Sequence, residues 1–164
     1  MFIPFQNLTS QARTWIYQAD REITEEQKSL ISRKLRQFTE DWLVHGSPLD
    51  ASFEIRHDRF VILAANDTTS GCSIDSSVRV MKEIGSETGI DFFNRNLIAF
   101  QVANEIRLIG MPFLKKEFQE GKWDESTSVF NNVASTLQEL NERWLVPAGT
   151  TWLKRYLPKP QSVG

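Results

Sequence analysis

The chain has 164 residues, of which 40% are hydrophobic and 24% are charged. This content is enough for one substantial core, so we expect one globular domain over residues 1–157 and a flexible C-terminal tail over residues 158–164. The net charge of -2 gives no long-range field to attract phosphate backbones, which argues against general nucleic-acid binding.

Cysteine and histidine usage narrows the chemistry further. One Cys and two His exclude an internal disulfide and the Cys/His spacings of a zinc site. No acidic ladder of the calcium-loop type is found, so we expect neither a metal nor a cofactor. No window reaches the ~18 apolar residues of a spanning helix, and no basic leader precedes an apolar stretch. We therefore expect a cytoplasmic protein without membrane contact.

The first elements have strong local signals. Residues 14–20, "TWIYQAD", alternate as a strand does. Thr24 and Gln27 form a capping box at the start of a helix. Gly46 can supply its left-handed cap, which would put His45 in the last turn. The apolar stripe of this helix is Leu30, Ile31, Leu35, Phe38 and Trp42.

Residues 51–66, "ASFEIRHDRFVILAAN", predict a hairpin. A two-residue loop of His57 and Asp58 would set Arg56 opposite Arg59. Two adjacent guanidinium groups are either solvated or share an anion, and the sequence leaves both interpretations open.

The second half repeats the alternation of helix and hairpin. A helix is expected from about Ser73 to Thr88, with Gly89 as its cap. Residues 96–112 then predict a second hairpin with a three-residue loop, which would pair Phe100 with Leu108 because apolar residues then face each other.

The C-terminal part adds further elements. Pro112 suits the first position of a helix that Gly121 stops. A short strand at 127–132 and a helix over 135–144 follow. Thr150 or Thr151 caps the last helix.

This order, β-α-β-β-α-β, predicts an α+β fold of the ferredoxin-like split βαβ type, with an added C-terminal strand and helices. The helices should cover one sheet face. The opposite face would expose an apolar patch too large for a monomer, formed by Trp15, Tyr17, Val61 and Leu63. Either the C-terminal segment with Trp144, Trp152 and Tyr156 covers this open sheet face, or a second copy or another protein does.

A candidate site lies in "SGCSIDSS", where a helix is expected to begin. Gly71 permits an unusual backbone angle and Ser73 can cap the helix, so free main-chain N–H groups would meet there. Such a position binds anions and lowers a thiol pKa. The candidate ligand-binding residues are Ser70, Gly71, Cys72, Ser73, Asp75 and Ser76.

Cys72 is a candidate nucleophile only if it is exposed. No second Cys can resolve an oxidised thiol, no base is fixed nearby, and the Asp75 carboxylate would raise the thiol pKa. Free Cys is also often buried. Three interpretations stay open: a structural turn and cap, a small-molecule or anion site, and a thiol catalyst or sensor.

The segments "SGCSID", "VFNN" and "WLVP....W.KRYL" resemble a family of small bacterial proteins without established function, some of which carry a name suggesting the ATPase of an ABC transporter. The resemblance covers nearly the whole chain and implies almost nothing about activity. The sequence lacks the G-x-x-x-x-G-K-[ST] loop that cradles phosphates, so ATP hydrolysis of the ABC type is rejected. We expect a non-catalytic binding or interaction module, with a small-molecule or thiol-dependent site as the alternative.

Overall fold

The computed structural model describes residues 1–66 and 71–158, and for residues 71–74 only the helical backbone. The contacts group the chain into two compact units. The first contains Met1–Asn94 and Asn132–Trp144, and the second contains Arg95–Asn131 and Leu145–Gly164. Helices and antiparallel sheets occur in both units, which confirms the predicted α+β class. The single domain over residues 1–157 stays a prediction, and residues 159–164 of the predicted tail lie outside the described residues.

The first unit contains a three-stranded sheet, a two-stranded hairpin and three helices. Its elements, numbered in chain order, are β1 (Arg13–Gln18), α1 (Glu25–Asp41), β2 (Leu43–Val44), β3 (Ser47–Pro48), β4 (Ala51–Arg56), β5 (Phe60–Ala65), α2 (Gly71–Thr88) and, after the first segment of the second unit, α4 (Leu137–Arg143). The sheet order is β1-β5-β4, and each neighbouring pair is antiparallel.

The start of α1 is the predicted capping box. Thr24 Oγ1 accepts a hydrogen bond from the Gln27 N–H at 3.2 Å, and Gln27 Oε1 accepts one from the Thr24 N–H at 3.0 Å. Both are groups that the first helical turn would otherwise leave unpaired.

The predicted end of α1 is wrong. The helix ends at Asp41, and Trp42 already has extended backbone angles. His45 and Gly46 have positive φ angles of 52° and 80° and form the turn between β2 and β3. His45 therefore lies in a hairpin turn, not in the last turn of a helix.

The main core of the first unit lies between the sheet and two helices. Tyr17, Val61 and Leu63 belong to this core cluster, with Trp15 packed against it. The helices contribute, among others, Ile31, Leu35, Met81 and Ile84. The four residues predicted to form an open face thus lie on the face that the helices cover, so that expectation is wrong.

The opposite face of this sheet is also covered. Phe60 is fully buried and its ring lies 4.9 Å from that of Trp144. Thr14 Oγ1 donates to the Ala134 carbonyl at 3.0 Å. The segment Asn132–Trp144 therefore packs on the face that carries Phe60, and of the three C-terminal aromatic residues named above Trp144 reaches this sheet within the first unit.

The β4–β5 hairpin has a three-residue loop, not the predicted two-residue loop. Arg56 pairs with Phe60 and not with Arg59. Two carbonyls of this loop accept hydrogen bonds from outside the hairpin: the Ile23 N–H donates to Asp58 and the Ala19 N–H donates to Arg59, both at 2.7 Å. Arg59 therefore contacts the residue that follows β1, next to the pair of Gln18 and Phe60.

The second unit contains β6 (Leu97–Val102), β7 (Glu105–Gly110), α3 (Leu114–Gln119), β8 (Ser128–Phe130) and β9 (Leu145–Pro147). They form a sheet in the order β7-β6-β8-β9. Trp123 lies in its core, 5.3 Å from the ring of Phe100, and its Nε1–H donates to the Leu114 carbonyl at 2.8 Å. The buried indole thus satisfies its one polar group while it fills the core.

The β6–β7 hairpin has a two-residue loop, so the predicted three-residue loop is wrong. Phe100 pairs with Arg107, and Val102 pairs with Glu105. Arg107 Nη2 donates to Glu117 Oε2 at 2.9 Å. The guanidinium therefore has an ionic partner on α3. Because its charge is paired, a register that places Arg107 opposite Phe100 is not unfavourable.

The ferredoxin-like order is not confirmed. In that plan the strand after α2 joins the first sheet. Here β6 pairs with β7 and β8 in the sheet of the second unit. Within the described residues, no helix combines the length and hydropathy that a membrane crossing needs.

Candidate functional site

The sequence-predicted site coincides with the start of α2. Gly71, Cys72 and Ser73 lie in the first turn of the helix, whose side chains are not described, and Ser70 lies outside the described residues. Ser73 is the third residue of the helix, so its predicted role as the cap is wrong, and Gly71 is part of the helix and not of a turn before it.

The next residues of α2 point in different directions. Asp75 is exposed and Ser76 is half-buried. Ser77 is fully buried and its Oγ lies 2.6 Å from the hydroxyl of Tyr17. Burial raises the pKa of Tyr17, and the hydrogen bond with Ser77 lowers it by less. Tyr17 is thus a neutral core hydroxyl rather than a reactive one.

An open groove of about 430 Å³ lies between α1 and α2. Phe38 and Val80 are its apolar residues, and both contribute to the core beneath it. Its polar residues are Lys34, Gln37, Ser76, Arg79 and Glu83. Ser76 belongs both to this groove and to the site predicted from the sequence. Cys72, the candidate nucleophile of that site, lies one helical turn before it in α2.

The charges around this groove are unevenly compensated. Lys34 Nζ lies 2.5 Å from Glu87 Oε1, so its charge is paired. Arg79 is exposed, and no ion pair is found for it among the residues with described side chains. The Arg79 guanidinium is therefore the groove's cation that can meet a ligand anion.

His57 packs against an aromatic ring, and His45 lies in the turn between β2 and β3. The ring of His57 lies 5.6 Å from that of Trp144. Arg56 Nε donates to Glu54 Oε2 at 2.7 Å, and its guanidinium lies over the rings of Phe5 and Trp144. The anion contact considered for Arg56 and Arg59 is not supported by this geometry, because Glu54 is the partner of Arg56.

A feature that the sequence did not predict is the outer edge of β7. The hairpin register and the bond from the Met111 N–H to the Asn96 carbonyl, at 2.6 Å, show that odd-numbered residues of β7 face β6. The N–H and C=O groups of Ile106 and Leu108 therefore point away from the sheet. No hydrogen bond to them is found in the described part of the chain. Only strand order could reveal this edge, and strand order is a property of the folded chain.

Metal binding has no support among the described residues, where no group of three or more His, Cys, Asp or Glu could hold an ion. Comparison with protein-family models, curated proteins and solved structures finds no match for the chain. The resemblance to the small bacterial family therefore stays a prediction.

Proposed function

We propose that this protein is a non-catalytic interaction module whose partner pairs with the outer edge of β7. The observation that carries the proposal is the outer edge of β7, where the backbone groups of Ile106 and Leu108 have no hydrogen-bond partner among the described residues. An exposed strand edge is a template for another strand, and proteins use such edges for strand addition. The edge replaces the covered sheet face as the surface for a partner.

The proposed partner is a second copy of the chain. Glu105 and Arg107 lie on the same face of β7, two residues apart. Antiparallel pairing with Ile106 opposite Ile106 places Glu105 of each copy opposite Arg107 of the other. A shift that puts Arg107 opposite Arg107 brings like charges together, which opposes that register. Glu105 is exposed and, among the residues with described side chains, has no ion-pair partner that it would have to leave. Arg107 already donates to Glu117 from Nη2, and its guanidinium has further N–H groups for the Glu105 carboxylate of the other copy.

Size-exclusion chromatography with light scattering tests this proposal over a concentration series. The wild type is expected to dimerise, and Glu105→Lys is expected to raise the dimer dissociation constant about tenfold, because the charge pair occurs twice and each such pair contributes up to about 1 kcal/mol. Glu22→Lys makes the same charge change at an exposed loop residue and should leave the dimer unchanged.

A second variant tests the backbone contact. Leu108→Pro removes an N–H that points away from β6, so the ladder within the hairpin keeps its bonds. We expect a folded monomer, with the circular dichroism spectrum of the wild type as the control. A wild type that is monomeric at every concentration, or a dimer that both variants leave intact, would contradict the proposed edge pairing.

The second candidate function is a small-molecule or anion site, or a thiol-dependent enzyme, at the residues 70–76 named above. The helical backbone that is described from Gly71 onward supports it, because the N–H groups of a first helical turn have no acceptor within their own helix. The thiol version expects Cys72 to react with iodoacetamide at pH 7 faster than a free thiol, with Cys72→Ser as the blank. An unreactive Cys72 in the native protein would remove the thiol version.

We also propose a ferredoxin-like origin for the first unit, in which β1 and β4 flank β5. That is the arrangement of three strands in a split βαβ plan. Membership in the small bacterial family, a cytoplasmic location and the lack of ABC-type ATP hydrolysis are proposals as well. Phosphate release from ATP no faster than in a blank is the expected result for the last of these.

A further inference from the structure

We infer that the groove between α1 and α2 binds a small amphipathic anion, a molecule with a flat apolar body and one negatively charged group. The inference is independent of the strand pairing proposed for β7, because every residue of the groove belongs to the two helices of the first unit.

The apolar body of the ligand is recognised by Phe38 and Val80. Phe38 is half-buried and packs against the main core of the first unit, so its ring is held in place. Val80 is a buried member of the same core. A flat apolar group laid on these two side chains would leave water without rearranging the core.

The negative group of the ligand is recognised by Arg79. Lys34 is paired with Glu87, and Glu83 also lines the groove. Because Arg79 lacks an ion pair among the side chains that are described, an anion placed beside it separates no existing pair. A guanidinium can hold a carboxylate, sulfonate or phosphate with two parallel hydrogen bonds.

The polarity of the groove fixes the orientation of the ligand. Gln27, in the first turn of α1, donates from Nε2 to the Thr88 carbonyl at the end of α2 at 3.3 Å, whereas Phe38, later in α1, lines the groove with Ser76. The two helices therefore run in opposite directions. Glu83 lies toward the C-terminal end of α2, and Ser76 lies toward its N-terminal end. The anionic group is therefore placed at Arg79 and Ser76, away from Glu83.

Naphthalene-2-sulfonate is the probe, and naphthalene-2-sulfonamide is its uncharged analogue. In ¹H–¹⁵N NMR titrations of the full chain, the sulfonate should cause saturable shifts at residues 34–38 and 76–83. The sulfonamide should bind at the same residues about fivefold more weakly, because exposed charge contacts contribute about 1 kcal/mol.

Arg79→Gln separates the charge contact from the apolar contact. The sulfonate should bind this variant about fivefold more weakly, whereas the sulfonamide should bind it as it binds the wild type. Arg33→Gln, at an exposed residue of α1 outside the groove, is the matched control and should change neither affinity. Shifts located elsewhere on the chain, equal affinity for both probes, or an unchanged sulfonate affinity in Arg79→Gln would overturn the inference.

Discussion

The hydrogen bond between Tyr17 and Ser77 gives the sharpest stability prediction. Both residues are buried, with exposed fractions of 8% and 0%, and their oxygens are 2.6 Å apart. We consider the single substitutions Tyr17→Phe and Ser77→Ala and the double variant. The two singles differ because they leave different groups without a partner.

The expected magnitudes follow from what each substitution leaves behind. Tyr17→Phe loses one hydrogen bond, worth about 1 kcal/mol, since a helical serine can turn to the carbonyl four residues earlier. Ser77→Ala loses the same bond and also leaves a buried phenol without this partner, so it should cost about 2 kcal/mol. The double variant should cost about 1 kcal/mol, because neither polar group remains.

Urea unfolding followed by circular dichroism measures these free energies. The sum of the two singles should exceed the double variant by about 2 kcal/mol. Additivity within about 0.5 kcal/mol would refute the reasoning, since residues that do not interact behave additively.

Three further predictions concern the first unit. Burial raises the pKa of Tyr17, so the unfolded chain loses this proton first as the pH rises past the ordinary tyrosine value. The free energy of unfolding should therefore fall more steeply between about pH 9 and about pH 11 in the wild type than in Tyr17→Phe. Equal slopes would contradict the raised pKa. Thr24→Ala removes the side-chain bond to the Gln27 N–H and should cost about 1 kcal/mol in urea unfolding, with a neutral result counting against the capping box. Gly89→Ala should cost about 1 kcal/mol in urea unfolding, because Gly89 has a φ of +75° that an L side chain strains. A Cβ at this position meets nothing within 4 Å, so a much larger loss of stability would mean that backbone strain is not the cause.

Signals confined to a few neighbouring residues predicted the fold best. The capping box of Thr24 and Gln27 is complete in the residues themselves, and Gly89 follows the last residue of α2 with the expected left-handed angle. Each of these features needs only groups that are adjacent in the chain, so their identity was sufficient.

The sheet faces could not be assigned from the sequence. All six residues of β5 are buried, so the strand has no polar side that could mark the face away from the helices. The two faces of β5 are equally apolar, so the sequence contains no signal that decides whether Val61 and Leu63 face the helices or the opposite side. The covering segment, Asn132–Trp144, comes from much later in the chain.

Both hairpins contact partners that are distant in sequence. The Arg59 carbonyl in the β4–β5 loop accepts a hydrogen bond from the Ala19 N–H, and the β6–β7 register is compatible with Arg107 because Glu117 pairs with its charge. Apolar matching within one hairpin contains neither contact. Loop length was consequently predicted wrongly in both cases.

Of the two helices that form the groove, the sequence predicted only the contribution of α2. Ser76 was named because a helix was expected to begin nearby, and it does line the groove. Lys34 and Phe38 reach the same groove through the packing of α1 against α2, which no local pattern contains. The edge of β7 was not predicted for a related reason. Whether a strand has a neighbour on its outer side is not encoded in the residue pattern of that strand.

Amide hydrogen exchange of β7 tests the central claim most directly. The amides of Arg107 and Ile109 face β6 and should be protected at every protein concentration. Those of Ile106 and Leu108 should exchange quickly in dilute protein and become protected as the concentration rises, while Glu105→Lys should delay that protection to about tenfold higher concentration. Fast exchange at Ile106 and Leu108 at all concentrations, or protection that does not depend on concentration, would contradict the proposed pairing of two copies through this edge.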